Sequence, residues 1–254
     1  MKNIMGFGMA SLLLLAGVAV AESDVGVALD VPVLSSYVWR GQTLNDEMAV
    51  QPSLTASAAG FAINTWANCN VDGAYGGEFS EVDLTASYSQ TVGPVALGAG
   101  VVQYTFPNQT MAVEDGEDVA YPGTVEVYVS AGLPDVALAP TLTVYRDVDE
   151  IDGTYGTLGA GQAFELTEKI SLAVSASLGA GDADYNAGYF GVDDAALNDL
   201  VLGAALPISV LENLSVKPAI SYVCLPDSDI RDAAEAVYGE DDAVVGSLMV
   251  SCAF

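Results

Sequence analysis

"EVDLTASYS", residues 81–89, decides how this chain is read. Val82, Leu84, Ala86 and Tyr88 fall on one side of an extended backbone, and Glu81, Asp83, Thr85, Ser87 and Ser89 on the other. A period of two is the strand period, because successive side chains of a β-strand point to opposite faces. The pattern recurs in both directions along the chain. Val25, Val27, Leu29, Val31 and Val33 leave Asp30 on the opposite face. Val125, Val127, Val129, Ala131 and Leu133 stand against Glu126, Tyr128, Ser130 and Gly132. Leu214, Val216, Pro218, Ile220 and Tyr222 oppose Ser215, Lys217, Ala219 and Ser221, and Leu248, Val250, Cys252 and Phe254 close the series.

Twelve such runs cover about 25–36, 49–58, 60–69, 80–91, 94–106, 123–133, 137–147, 154–166, 169–179, 199–209, 213–224 and 243–254. Their connections alternate in character. One set is short, at 59–60, 92–94, 134–136, 167–168 and 210–213. The other is long and acidic, at 37–48, 70–79, 107–122, 148–153, 180–198 and 225–242. An antiparallel meander with tight turns at one end and long loops at the other has the layout of an outer-membrane barrel. The sequence therefore predicts an all-β fold over 22–254: a single antiparallel, up-and-down transmembrane β-barrel of about 12 strands, apolar toward lipid and polar toward the lumen. A secreted β-sandwich is the competing fold. Against it, the small polar faces carry almost no Lys or Arg, and runs of about ten residues exceed ordinary soluble strands but match a tilted bilayer crossing.

Composition agrees with export. "MKNIMGFGMASLLLLAGVAVA", residues 1–21, has Lys2 as its one charge, then an apolar stretch, then Ala19-Val20-Ala21, and reads as a signal peptide cleaved after Ala21. The 254 residues carry 34 acids against six bases, a net charge of −28, so the chain has no field for nucleic acid. Yet the mean hydropathy is +0.40. Three cysteines, Cys69, Cys224 and Cys252, are too few for a disulfide framework.

Residues 35–72, "SSYVWRGQTLNDEMAVQPSLTASAAGFAINTWANCNVD", resemble the N-terminal signature of the TorF-type family of bacterial porins. Tyr37, Arg40 and Gly41 match its Tyr-x-x-Arg-Gly element, and Gly60, Phe61, Trp66, Ala67 and Asn68 match its second element. The resemblance implies a porin-like role in the bacterial outer membrane, with lipid around the barrel. The loops are more acidic than the family pattern, and Cys69 departs from it. A terminal Phe254 after an apolar stripe also resembles the C-terminal signature of outer-membrane proteins, which implies engagement by the barrel assembly machinery.

The chain has no histidine, which removes Ser-His triads, imidazole acid–base steps and His-metal sites. "DVDEIDG" at 147–153 fails as a calcium loop because Ile151 occupies its fifth position and Gly153 comes one place late. No phosphate-binding glycine motif occurs. We expect no enzyme, no cofactor and no resident metal. The expected work is passage of small solutes or cations through a polar lumen. The pore-lining candidates are Asp30, Arg40, Glu81, Asp83, Glu126, Tyr128, Tyr145 and Lys217. Carboxylates lining a pore favour cations. In the third long loop, Glu114, Asp115, Glu117 and Asp118 are candidates for a constriction, by analogy with larger porins. Arg40 has two readings, solute contact or bracing against an inward carboxylate. The alternative function is a non-conducting structural or surface-interaction barrel whose acidic loops bind divalent cations. In the last loop, Ile230, Ala233, Ala234 and Val237 predict a short helix over 229–239 capped by Asp229.

Overall fold

The computed structural model describes residues 25–71, 79–112 and 118–254. The leader expected over 1–21, with its cleavage after Ala21, and the loop acids Glu114, Asp115 and Glu117 lie outside the described residues. Asp118 opens a short strand, Asp118–Ala120, that pairs with Thr110–Ala112 in the third long loop.

Twelve strands close into one antiparallel barrel. In chain order they are β1 (Gly26–Leu34), β2 (Ala49–Val50 continuing as Ser53–Ala58), β3 (Phe61–Asn70), β4 (Phe79–Val92), β5 (Val95–Thr105), β6 (Thr124–Gly132), β7 (Thr141–Asp147), β8 (Thr154–Glu165), β9 (Ser171–Gly181), β10 (Ala196–Ala205 continuing as Ile208–Leu211), β11 (Leu214–Cys224) and β12 (Asp242–Ala253). Each pairs with its neighbour in sequence. The ring shuts where β12 pairs with β1, from Ala28 opposite Ala253 to Leu34 opposite Ser247. Closure satisfies the backbone donors and acceptors that an open sheet edge would leave to the solvent, a requirement in hydrocarbon. The first and last strands meet at the short-turn end, where the Phe254 N–H donates to the Val27 carbonyl at 2.8 Å.

Two strands are interrupted at prolines, the first being β2, at Gln51 and Pro52. β10 breaks at Leu206 and Pro207, opposite Pro218 of β11, and Leu206 N–H still donates to the Pro218 carbonyl at 2.9 Å. Neither proline has an N–H to give to the ladder. β7 starts at Thr141 and not at 137 as the sequence pattern predicts, because Leu138 and Ala139 take left-handed conformations ahead of Pro140.

The faces sort as the alternation predicts, inside-out relative to a soluble sheet. Leu84, Val129, Ile220, Leu248 and Phe254 project outward and are exposed, while Glu81, Thr85, Glu126, Tyr128 and Lys217 are buried within the ring. Among the described residues no helix is long and apolar enough to cross a membrane. The two helices that do form sit in long loops: α1 (Ala183–Phe190) between β9 and β10, and α2 (Ser228–Tyr238) between β11 and β12.

Candidate functional site at the barrel mouth

The first long loop enters the lumen. Tyr37–Trp39 and Gln42–Asn45 pair as a small hairpin of their own. Its turn is Arg40-Gly41, with φ of 48° and 82°. Two consecutive left-handed residues make the tight turn that matches the twist of paired strands. Gly41 is needed there twice over: its φ is unfavourable for a side chain, and an added Cβ would lie 2.4 Å from Leu225 Cδ2 and 3.1 Å from Asp199 Cβ. Arg40 takes the same conformation with a side chain, at a cost of about 1–3 kcal/mol that its surroundings must offset.

Those surroundings are specific. Arg40 Nη1 and Nη2 donate to Glu126 Oε1 and Oε2 of β6, both at 2.7 Å. The pair is bidentate, the strongest geometry open to a guanidinium and a carboxylate. Both side chains are buried, Glu126 to 1% exposure. The guanidinium carbon lies 4.4 Å from the ring centroids of Trp39, Tyr145 and Tyr155, and 5.8 Å from that of Tyr185. Burial alone disfavours the Arg40 charge, but the Glu126 carboxylate outweighs it and holds the proton more tightly than usual. Glu126 Oε2 accepts a further bond from the Tyr104 hydroxyl at 2.8 Å. Tyr128, two residues beyond Glu126 on the same inward face, stacks on Tyr145 at 5.4 Å between centroids. Gly100 of β5 makes room for the Tyr128 ring, since an added Cβ would come within 2.6 Å of it.

The helices grip the hairpin from the mouth. α1 supplies Tyr185, fully buried, and Tyr189; their rings are 4.7 Å apart, and Tyr189 meets Trp39 at 5.4 Å. Its N-cap is Asp182, which accepts from the N–H groups of Thr154 and Tyr185, both at 2.9 Å. Burial raises the Asp182 carboxyl, but these backbone bonds overcome it and hold the group below its ordinary value. From α2, the Tyr238 hydroxyl lies 2.7 Å from Gln42 Oε1 and 2.8 Å from the Tyr189 carbonyl. The α2 cap is Asp227, which accepts from the N–H groups of Asp229 and Ile230. Asp229 therefore sits in the first turn, which corrects the cap expected from the sequence: extended backbone runs as far as Asp227, so Asp227 is the residue free to turn its side chain onto the helix.

Sequence-predicted residues separate into groups. Arg40, Glu126, Tyr128 and Tyr145 meet in the aromatic cluster. Glu81 lies beside them on β4 and accepts from the Tyr37 hydroxyl at 3.0 Å; Asp83 follows on the same face, with its Oδ1 buried and unbonded. Asp30 and Lys217 stand apart, nearer the short turns, on the two strands flanking β12. Lys217 is buried, with Asp30 as its acidic neighbour. Sequence reasoning missed Trp39, Tyr104, Tyr155, Tyr185 and Asp199 as members of the site. Strand parity was the available signal for Tyr104 and Asp199. Asp199 accepts from the Tyr155 hydroxyl at 2.7 Å. Asp147, from the "DVDEID" run, bonds Thr124 Oγ1 and the N–H groups of Asp149 and Ile151, so it organises its own loop. Among the described residues no group of three or more His, Cys, Asp or Glu side chains is arranged to hold a metal ion.

A closed twelve-strand barrel, apolar outside and polar within, with long loops gathered at one mouth, has the architecture of the outer-membrane β-barrel class of folds. Solved structures agree. An outer membrane channel from Pseudomonas putida F1 superposes with a TM-score of 0.54 at 11% identity, covering 93% of this chain and 97% of its own. The NanC porin superposes at 0.50 and 14% identity, covering 89% and 98%. At these identities the likeness is one of fold. No curated protein matches the sequence. A family profile described as "bacterial protein of unknown function (Gcw_chp)" matches residues 18–207, and the chain belongs to that family.

Proposed function

We propose that the protein is an outer-membrane porin, giving passive diffusion to small solutes and ions with a weak preference for cations. The observation that carries this reading is the inverted barrel: Leu84, Val129 and Ile220 face out while Glu81, Glu126 and Lys217 lie within. Hydrocarbon is the solvent that stabilises such an exterior, at about 25 cal/mol for each Å² of apolar surface withdrawn from water. The preference for cations rests on the inward charges. Asp30, Glu81, Asp83, Glu126, Asp147 and Asp199 outnumber Arg40 and Lys217, and a lumen of that sign raises the local cation concentration. No enzymatic step is assigned to it. Export under a leader cleaved after Ala21, and assembly through recognition of Phe254, complete the proposal; the resemblance of residues 35–72 to TorF-type porins supports the same role.

The test is conductance of the purified, refolded barrel in a planar lipid bilayer. A reversal potential on the cation side is expected in a KCl gradient. An anion-side potential refutes the carboxylate mechanism, and absence of channel events both from the wild-type barrel and from one whose first loop has been released refutes the porin reading. One observation favours the second reading, a non-conducting structural or surface-interaction barrel: the hairpin and both helices pack into one aromatic cluster at the mouth.

A further inference from the structure

We infer that the Tyr37–Asn45 hairpin is an internal plug, and that the Arg40–Glu126 pair is the latch that keeps it seated. This inference rests on the porin reading and adds its regulation. The hairpin belongs to the loop between β1 and β2, whereas Glu126 is on β6, five strands away round one side of the barrel and seven round the other. The ion pair therefore crosses the lumen. The turn residues approach groups from most of the circumference. Arg40 touches Tyr145 of β7 and Tyr155 of β8, Glu126 is shared with Tyr104 of β5, and Gly41 lies against Asp199 of β10 and Leu225 beyond β11. A segment in contact with so many strands occupies the axis of the barrel.

The hairpin is held at both ends and is not woven into the wall. Its two strands pair with each other and with no barrel strand. At its base, the Ser35 N–H donates to the Gly246 carbonyl at 2.9 Å, and Val38 packs with Leu34, Val223 and Val245. At its tip the latch dominates. Between base and tip, Gln42 is shared by Tyr185 and Tyr238. Withdrawal thus requires no barrel strand to separate. It requires the buried ion pair to part, the Tyr37–Glu81 and Gln42 hydrogen bonds to break, and the aromatic rings to release Trp39. Ionic latches of this kind give two discrete states, because a half-withdrawn Arg40 leaves Glu126 buried without its counter-charge.

The experiment compares single-channel conductance in planar bilayers for the wild-type chain, Arg40→Ala, and a stapled variant. The staple is Val38→Cys with Val245→Cys in a background where Cys69, Cys224 and Cys252 are Ser, which ties the hairpin base to β12. Arg40→Ala is expected to raise conductance or open probability several-fold. Oxidised staple is expected to suppress openings below the wild-type level, and reduction to restore them in the same molecules. The stapled comparison keeps the latch residues intact, so it stands even if Arg40→Ala does not fold. Equal conductance in wild type, Arg40→Ala and both states of the staple overturns the plug while leaving the porin standing. Silence from all of them, with heat-modifiable gel mobility showing folded barrels, overturns the porin and the plug with it. Silence from wild type alone, with channels from Arg40→Ala, supports the latch.

Discussion

Replacing Arg40 by Met removes the charge from the lumen while leaving an unbranched stem among the rings. Glu126, 1% exposed, is then left buried with the Tyr104 hydroxyl as its remaining donor. Breaking a buried pair from one side typically costs about 3–5 kcal/mol, most of it the desolvated charge left behind. Contacts of the guanidinium with three rings at 4.4 Å add about 0.5–2 kcal/mol in all. The double variant Arg40→Met/Glu126→Leu removes both charges and should lie within about 1–2 kcal/mol of wild type, since an apolar pair of similar bulk carries no desolvation penalty. Urea titration of the refolded barrel in micelles reads the difference. The chain has two tryptophans, and in a Trp66→Phe background the fluorescence of Trp39 reports on the hairpin. Because the hairpin is separate from the barrel strands, its loss should appear as an early Trp39 transition while β-sheet circular dichroism is unchanged. A single variant costing under about 1 kcal/mol, or a double variant no better than the single one, refutes the buried latch.

Three further outcomes follow from the same geometry. Gly41→Ala should dislodge the hairpin by more than about 1 kcal/mol, since it combines a left-handed backbone with a Cβ 2.4 Å from Leu225; the Trp39 titration measures it. Asp227→Ala should loosen α2 by about 1 kcal/mol through loss of its cap, seen as faster amide exchange at Asp229 and Ile230 with the barrel amides unaffected. Glu81→Gln with Asp83→Asn should move the reversal potential in a KCl gradient toward zero, and an unmoved potential would place these carboxylates outside the ion path.

The barrel was legible in the sequence because its solvent writes a two-residue period into every strand. Parity alone put Glu126 and Tyr128 on one face and Val127 and Val129 on the other, and the structure keeps them there. The loops carry no such periodic constraint. Arg40 and Glu126 are 86 positions apart, and their meeting depends on barrel closure and on a turn that aims one side chain inward. The lumen is entered by the first loop, and that loop's single Arg-Gly turn is inconspicuous in the sequence beside the dense run of acids in the third. Helix α1 escaped notice for a related reason. It is eight residues long, and Asp182 and Gly191, which start and stop it, are ordinary loop residues until the helix between them is known. For α2 the apolar spacing was readable, and the cap was misplaced by two residues because Asp227 and Asp229 offer the same side chain.

The barrel's orientation is a matter of which medium bathes each face, and tryptophan quenching measures that directly. With Trp39 and Trp66 replaced by Phe, single tryptophans at Val129 and Tyr128 are compared in vesicles of lipids brominated along the acyl chains. Val129, 60% exposed on the outer face, should be strongly quenched, and Tyr128, 6% exposed within the ring, should be spared. Equal quenching at adjacent positions, or spared fluorescence at 129, would contradict a barrel that turns its apolar face to lipid.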